Sequence, residues 1–254
     1  MTTQDTPDIT PNSAPLYGGE PHPCPYLPDR TARDVFLMES ELDPAAYEAL
    51  MDCGFRRSGT IVYRPICEGC RECVQLRVPV ATFRPSRSQR RVLRRNLDVH
   101  VEIGTPVCTD EKWRIFVRYL RHQHDGTMTE DRETFERFLY RSPTRSLEMV
   151  YRLGRRIVGV GVVDFCPSAL SSVYYFFDPE AARRSLGVFG ALREIDECRS
   201  RGLPYWYAGF FVRDCTRMNY KAAFRPFELL GPDGQWRGFG RAGDIRPGPS
   251  TEAV

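Results

Sequence analysis

Cys67, Cys70 and Cys73 stand in two successive C-x-x-C spacings, with Gly69 permitting a tight turn between the first pair. Thiolates at that spacing can grip one Zn²⁺ or cap an iron–sulfur cluster. A closed site needs a fourth ligand. Cys24, among the turn-forming prolines of PHPCPYLP, is the best candidate, with His22 and Cys53 as substitutes. The competing reading is a loop of free or redox-active thiols, and the run lacks the x₃-C-P continuation of a ferredoxin. Cys108, Cys166, Cys198 and Cys215 are scattered and read as small buried apolar residues.

A second chemistry is electrostatic. Arg84, Arg87, Arg90, Arg91, Arg94 and Arg95 fall within twelve residues that contain no acid. A helix opening after Ser86 would gather Arg87, Arg90, Arg91, Arg94 and Arg95 into one stripe, matched to a polyphosphate backbone. A solvated basic face is the plainer alternative. The net charge of +3, from 36 Lys+Arg against 33 Asp+Glu, hides this concentration. The segment alone carries +6 and the remainder −3. Only Lys112 and Lys221 are lysines, which weakens claims built on a lone arginine and singles out the two lysines. His122 and His124 could act as acid–base groups, although a surface helix end explains them as well; Tyr205, Trp206 and Tyr207 read as packing.

These groups need elements to hold them. At 254 residues, with 41% hydrophobic and 27% charged residues, the chain can bury a substantial core and is neither disordered throughout nor a coiled coil. Residues 1–15 show no secretory signal, and the longest uncharged stretch, Phe165 to Phe177, is too short to span a membrane. A cytoplasmic protein is expected. Seven prolines within the first 28 residues predict a mobile arm over residues 1–20, and the tail over 241–254 reads similarly. Between them, residues 21–97 are turn-rich and hold the cysteines and the arginine block. Residues 98–240 are regular.

In that regular part Val99, Val101 and Ile103 alternate as in a strand, and Trp113, Phe116, Val117 and Leu120 mark a helix face. A shorter helix around Phe135–Leu139 precedes strands at 147–153, 156–165 and 171–177, the first two joined at Gly154-Arg155. Asp178-Pro179 signals a helix start, and Leu186, Phe189, Leu192 and Ile195 continue one. A strand at 205–211, a short helix at 214–223 and a hairpin around Gly231–Gly234 complete the order. This is a mixed α+β or α/β pattern that resembles the GNAT acyltransferase fold. Coenzyme A-binding members carry R/Q-x-x-G-x-G/A, whose glycines admit the pyrophosphate. Here the stretch is Arg184-Ser-Leu-Gly187-Val-Phe189, which fails at its last position.

Several motifs in order resemble one family. Cys24-Pro-Tyr-Leu-Pro28, Gly54-Phe-Arg-Arg-Ser-Gly59, Tyr63-Arg-Pro65, the three-cysteine loop and Pro85-Ser-Arg-Ser-Gln-Arg-Arg91 look like the N-terminal half of the aminoacyl-tRNA–protein transferases. Tyr174-Tyr-Phe-Phe-Asp-Pro179, Arg184–Gly187 and Met218-Asn-Tyr-Lys-Ala-Ala-Phe-Arg-Pro226 look like the C-terminal half. The short chain is similar to the bacterial aspartate/glutamate leucyltransferases. The resemblance implies leucyl-tRNA as donor, proteins beginning with Asp or Glu as acceptors, and a product marked for degradation. It also implies a cysteine cluster, with iron–sulfur binding among eukaryotic relatives. The aminoacyl ester is already activated, so the chemistry needs no cofactor. An amine nucleophile with a pKa near 7.7–8.0 needs a proton acceptor and an oxyanion site. Asp178 is the candidate proton relay, with helix capping as its other role. Lys221 and Arg225, four apart, are the candidate cations for the acidic acceptor side chain. Arginyl-tRNA as donor, a coenzyme A-dependent N-acetyltransferase and a non-catalytic RNA-binding module are the alternatives.

Overall fold

The computed structural model describes residues 15–123 and 129–240. The tail over 241–254, most of the arm over 1–20, and His124 lie outside them. In chain order the elements are β1 (Tyr17–Gly18), β2 (His22–Pro23), β3 (Thr31–Ala32), β4 (Asp34–Met38), α1 (Pro44–Asp52), β5 (Arg56–Ser58) and β6 (Ile61–Pro65). Then come β7 (Val74–Pro79), α2 (Arg87–Arg95), β8 (Val99–Gly104), α3 (Asp110–Gln123), α4 (Arg132–Leu139), β9 (Ser146–Leu153) and β10 (Arg156–Phe165). The chain continues through β11 (Ala169–Phe177), α5 (Leu186–Ser200), β12 (Tyr205–Phe211), α6 (Thr216–Asn219), β13 (Phe227–Leu230) and β14 (Trp236–Phe239). From β8 onward this is the order expected from the sequence. The Asp178-Pro179 signal opens a 3-10 turn over Pro179–Arg184, ahead of α5.

Among the described residues the large sheet has eight strands in the order β14-β13-β7-β12-β11-β10-β9-β8. Its one parallel pair is β11 with β12; the other neighbours run antiparallel. β7, from the turn-rich part of the chain, is inserted between β12 and β13. Helices α2 and α5 cover one face, where Leu76, Val78, Leu192, Ile195 and Trp206 are buried together. The opposite face packs Phe116, Phe135, Val160 and Phe176 beneath α3 and α4. A four-stranded sheet, β1-β4-β6-β5, closes on α1 through Leu37, Tyr47, Leu50 and Val62. No helix among the described residues is long and apolar enough to cross a membrane.

The two sheets are joined by polar contacts, the first two of them buried. Arg57 on β5 makes a two-point ion pair with Asp164 on β10, at 2.8 and 2.9 Å, with both side chains fully buried. Gln75 on β7 donates to the Phe55 carbonyl at 2.6 Å. Tyr207 on β12 donates to Asp52 at the end of α1 at 2.6 Å.

Candidate acyl-transfer site

The parallel pair β11–β12 keeps register only through Ala169↔Tyr205, Leu170↔Trp206 and Ser171↔Tyr207, and then the strands part. The pairing of β12 with β7 shifts register between Tyr207 and Gly209, a bulge beside the same gap. Gly209 takes φ +86°, and a side chain there would meet the Arg56 guanidinium at 3.1 Å. Glycine is therefore required twice, for its conformation and for the close approach.

Arg56 reaches from β5 into this gap. Its guanidinium donates to the Ser171 hydroxyl at 2.7 Å and to the Ser172 carbonyl. On the other side, the Lys221 ammonium donates to the Phe210 carbonyl of β12 at 2.6 Å. Burial, followed by repulsion from Arg56, lowers the Lys221 pKa to about 7. Behind the gap lies Glu194 of α5, only 1% exposed. It accepts from the Trp206 indole N–H at 2.7 Å and is hydrogen-bonded to the Ser172 side chain. Burial raises its carboxyl to about 7 against the pull of Trp206, Ser172 and Arg56.

The expected cation pair does not form as the spacing suggested. The helix after β12 spans only Thr216–Asn219, and a 3-10 turn over Tyr220–Ala223 follows and stops short of Arg225. Lys221 and Arg225 consequently share no helical face. Lys221 points inward, whereas Arg225 is half-buried with its guanidinium 5.1 Å from the Phe227 ring centre. Asp178 caps the 3-10 turn and is paired with Arg156 at 2.6 Å and Arg118 at 3.0 Å. Burial pushes its carboxyl up, but Arg156, the Glu180 N–H and Arg118 together hold it below the usual carboxylate range. A carboxylate so engaged is a poor proton acceptor.

Helix α2 is framed as its sequence demands. The Ser86 hydroxyl accepts from the Gln89 N–H and the Gln89 side chain returns to the Ser86 N–H, a complete capping box. Gln89, Val92, Leu93 and Asn96 face inward, and Gln89 and Asn96 bond the carbonyls of Ala223 and Arg184. Arg87, Arg90, Arg91, Arg94 and Arg95 are all exposed, as is Arg84 just before the helix. Arg84, Arg90 and Arg95 donate to nearby backbone carbonyls. No ion pair engages any of the six among the described residues. In the failed coenzyme A stretch, Arg184 is paired with Asp98 and Phe189 is buried against Tyr151.

The cysteine loop faces the small sheet across a cavity of about 360 Å³, and Cys24, Cys67, Cys70 and Cys73 all line it. All four thiols are free. The metal expectation finds no ligand geometry here: among the described residues no three His, Cys, Asp or Glu side chains are grouped to hold an ion. The sulfurs are engaged by protein groups instead. Cys24 accepts from the Leu27 N–H, Cys70 from Arg30, and the Cys67 thiol donates to the Arg33 carbonyl. Burial and the neighbouring thiols push Cys73 up to about 12, so it is protonated at neutral pH. Of the substitute ligands, His22 bonds Asp34.

Residues 22–91 match the family described as "Arginine-tRNA-protein transferase, N terminus", and residues 111–231 match its "C terminus" counterpart. The chain is 42% identical over 218 residues to an aspartate/glutamate leucyltransferase of Pseudomonas savastanoi pv. phaseolicola, covering 85% of this chain and 93% of the relative. It is 41% identical over 225 residues to the one from Marinobacter nauticus, covering 87% and 94%. The chain belongs to the aminoacyl-tRNA–protein transferase family, in its bacterial aspartate/glutamate leucyltransferase branch. Among solved structures it is similar to FemX, with 9% identity and a TM-score of 0.44 over 73% of this chain and 77% of that one.

In this transferase the two matched segments meet at the gap. The N-terminal one supplies Arg56, while the C-terminal one supplies Ser171, Ser172, Glu194, Gly209 and Lys221. Arg56 lies inside the Gly54–Gly59 motif, yet nothing local distinguishes it from Arg57, whose partner is structural. Glu194 has no local signal either, because its meaning depends on Trp206 and Ser172 across the sheet.

Proposed function

We propose that the chain transfers leucine from leucyl-tRNA to the α-amine of proteins beginning with Asp or Glu. The identity to aspartate/glutamate leucyltransferases over nearly their whole length carries this reading. The arrangement at the β11–β12 gap suits it. Exposed arginines along α2 match the tRNA backbone and bring the charged 3′ end toward the gap, since α2 packs on α5, the helix of Glu194. The aminoacyl ester is already activated, and the enzyme's main work is positioning two macromolecules. No resident cofactor is needed for that chemistry. The cysteine cluster forms part of the wall of a cavity beside the small sheet.

The attacking amine must lose a proton as the new amide bond forms. Ser172 is half-buried and hydrogen-bonded to Glu194, so the proton can pass through its hydroxyl to a carboxylate poised near 7. The ester oxygen leaves as the 3′ hydroxyl of the tRNA, taking up the proton that Glu194 received and returning the carboxylate to its starting state. Asp178 remains the cap of its turn. Both substrates are cytoplasmic, and the leucine added to an acidic N-terminus would serve as a degradation signal.

Radiolabelled leucyl-tRNA offered with Asp-, Glu- and Ala-starting peptides, beside labelled arginyl-tRNA, tests the reading. Label is expected on the Asp and Glu peptides from leucyl-tRNA alone. Transfer only from arginyl-tRNA, or to no peptide, would overturn it.

A further inference from the structure

Two buried cations bracket the gap between β11 and β12, and no carboxylate pairs with either among the described residues. Arg56 is 6% exposed and Lys221 8%. Arg56 is anchored on the Ser172 carbonyl of one strand and Lys221 on the Phe210 carbonyl of the other. Charge buried without a counter-ion is strongly unfavourable. Glu194 feels Arg56, but its hydrogen bonds go to Trp206 and Ser172. Neither cation has a carboxylate bonded to it among the described residues, so the pair leaves room for an anion from outside.

A cavity lies beside the gap. One face of the small sheet, carrying Phe36, Ser58, Ile61 and Tyr63, forms a wall of the 360 Å³ cavity. Arg56 is two residues from Ser58 on the same face of β5, and it is the register partner of Tyr63. The Tyr63 ring also packs edge-on against Phe210, 6.0 Å between centres, so Tyr63 stands between the cavity and β12.

We propose that Arg56 and Lys221 together form the subsite for the side-chain carboxylate of the acceptor's first residue. This rests on the leucyl-transfer reading above and adds Arg56 as a specificity residue. An acidic N-terminal residue carries its carboxylate a few bonds from its α-amine. The carboxylate enters between the two cations while the amine lies at Ser172. Asparagine or glutamine in its place leaves both cations unpaired. The carboxylate also restores the proton that Lys221 surrenders in the free enzyme. Lys221 is faced by Arg56 from β5, by Cys73 ahead of β7 and by Cys215 ahead of α6. Arg56 is faced in turn by Glu194, Tyr26, Tyr47, Tyr63 and Cys166.

Leucine transfer to Asp- and Asn-starting peptides of otherwise identical sequence is measured for the wild type, Arg56→Gln and Lys221→Gln. The Asp/Asn ratio of kcat/KM is expected to fall at least tenfold in each variant, through KM. An undiminished ratio in a folded variant overturns the subsite. Should both variants lose a cooperative melt, calorimetry on the wild type at pH 8 decides, using two buffers of different ionisation enthalpy. Binding the Asp peptide should take up roughly one more proton than binding the Asn peptide, because Lys221 titrates near 7 when unpaired. Equal uptake overturns the proposal. A wild type that binds the Asp peptide with this uptake yet transfers no leucine would sink the leucyl-transfer reading alone.

Discussion

Glu194 shows how one residue can be costly to the fold and useful to the reaction. Its folded pKa of about 7 lies above its reference of 4.5. The folded state therefore binds more protons than the unfolded chain between those values. The associated stability is complete below about 4.5 and is lost as pH rises through 7. The shift amounts to on the order of 3 kcal/mol at alkaline pH, at about 1.4 kcal/mol per pKa unit. Glu194→Gln keeps the shape and the acceptor for Trp206 while removing the charge. Its melting temperature should exceed the wild type's by several degrees at pH 8, with the gap closing by pH 4, while kcat falls by roughly 10²-fold or more. Scanning calorimetry and leucine transfer read the two effects. A variant with no stability gain at pH 8 would remove the buried charge; one that kept full activity would remove the proton acceptor. The sequence marks Asp178 far more plainly, through the Asp-Pro step. Yet that same step makes Asp178 a cap, and Arg118 and Arg156 complete its neutralisation.

At the scale of elements, the start of α2 at Ser86 and its arginine stripe were legible, because cap and period act locally, whereas the bonds of Gln89 and Asn96 to Ala223 and Arg184 were not. The strands and helices from β8 to β12 were legible for the same reason, each carrying its own period. What could not be read was pairing between distant segments. Nothing in Val74–Pro79 announces that β7 will lie between β12 and β13. The break after α6 was also hidden, since YKAAF is compatible with a continuing helix. The exposed arginines yield a direct test. Arg87, Arg91 and Arg94 make no hydrogen bond to the protein among the described residues, whereas Arg84, Arg90 and Arg95 each bond a backbone carbonyl. Replacing Arg87, Arg91 and Arg94 with alanine should weaken tRNA binding and flatten the plot of log K against log salt by roughly 2 to 3 units of slope. Filter binding of leucyl-tRNA across a salt series measures it. The melting temperature should hardly move, because the inward face of α2 is untouched. An unchanged slope would mean that the stripe is only a solvated face.

For the whole molecule, the subsite exists only if the small sheet keeps its place against the large one. Arg57–Asp164 is the strongest candidate for holding it there. Both side chains have no exposure, the contact is two-pointed, and Ser146 donates to the same carboxylate at 2.6 Å. Such a pair contributes little against a well-packed apolar replacement, because two charges had to leave water. Losing one partner is different. Asp164→Ala strands the Arg57 charge in the interior and should destabilise the protein by about 3–5 kcal/mol in urea unfolding. Replacing both, as Arg57→Met with Asp164→Leu, should recover at least half of that loss. If the double variant were no more stable than the single one, volume or strain rather than stranded charge would be responsible. Arg56 adds a functional readout, since it follows the same strand as Arg57. In the double variant β5 is held by packing alone, so Arg56 loses part of its fixed aim at the gap. Leucine transfer to Asp-starting peptides should then fall more than tRNA binding does, because α2 and its arginines sit on the opposite side of that joint. Equal losses in transfer and tRNA binding would mean that the small sheet steadies the molecule as a whole and has no particular hold on the gap.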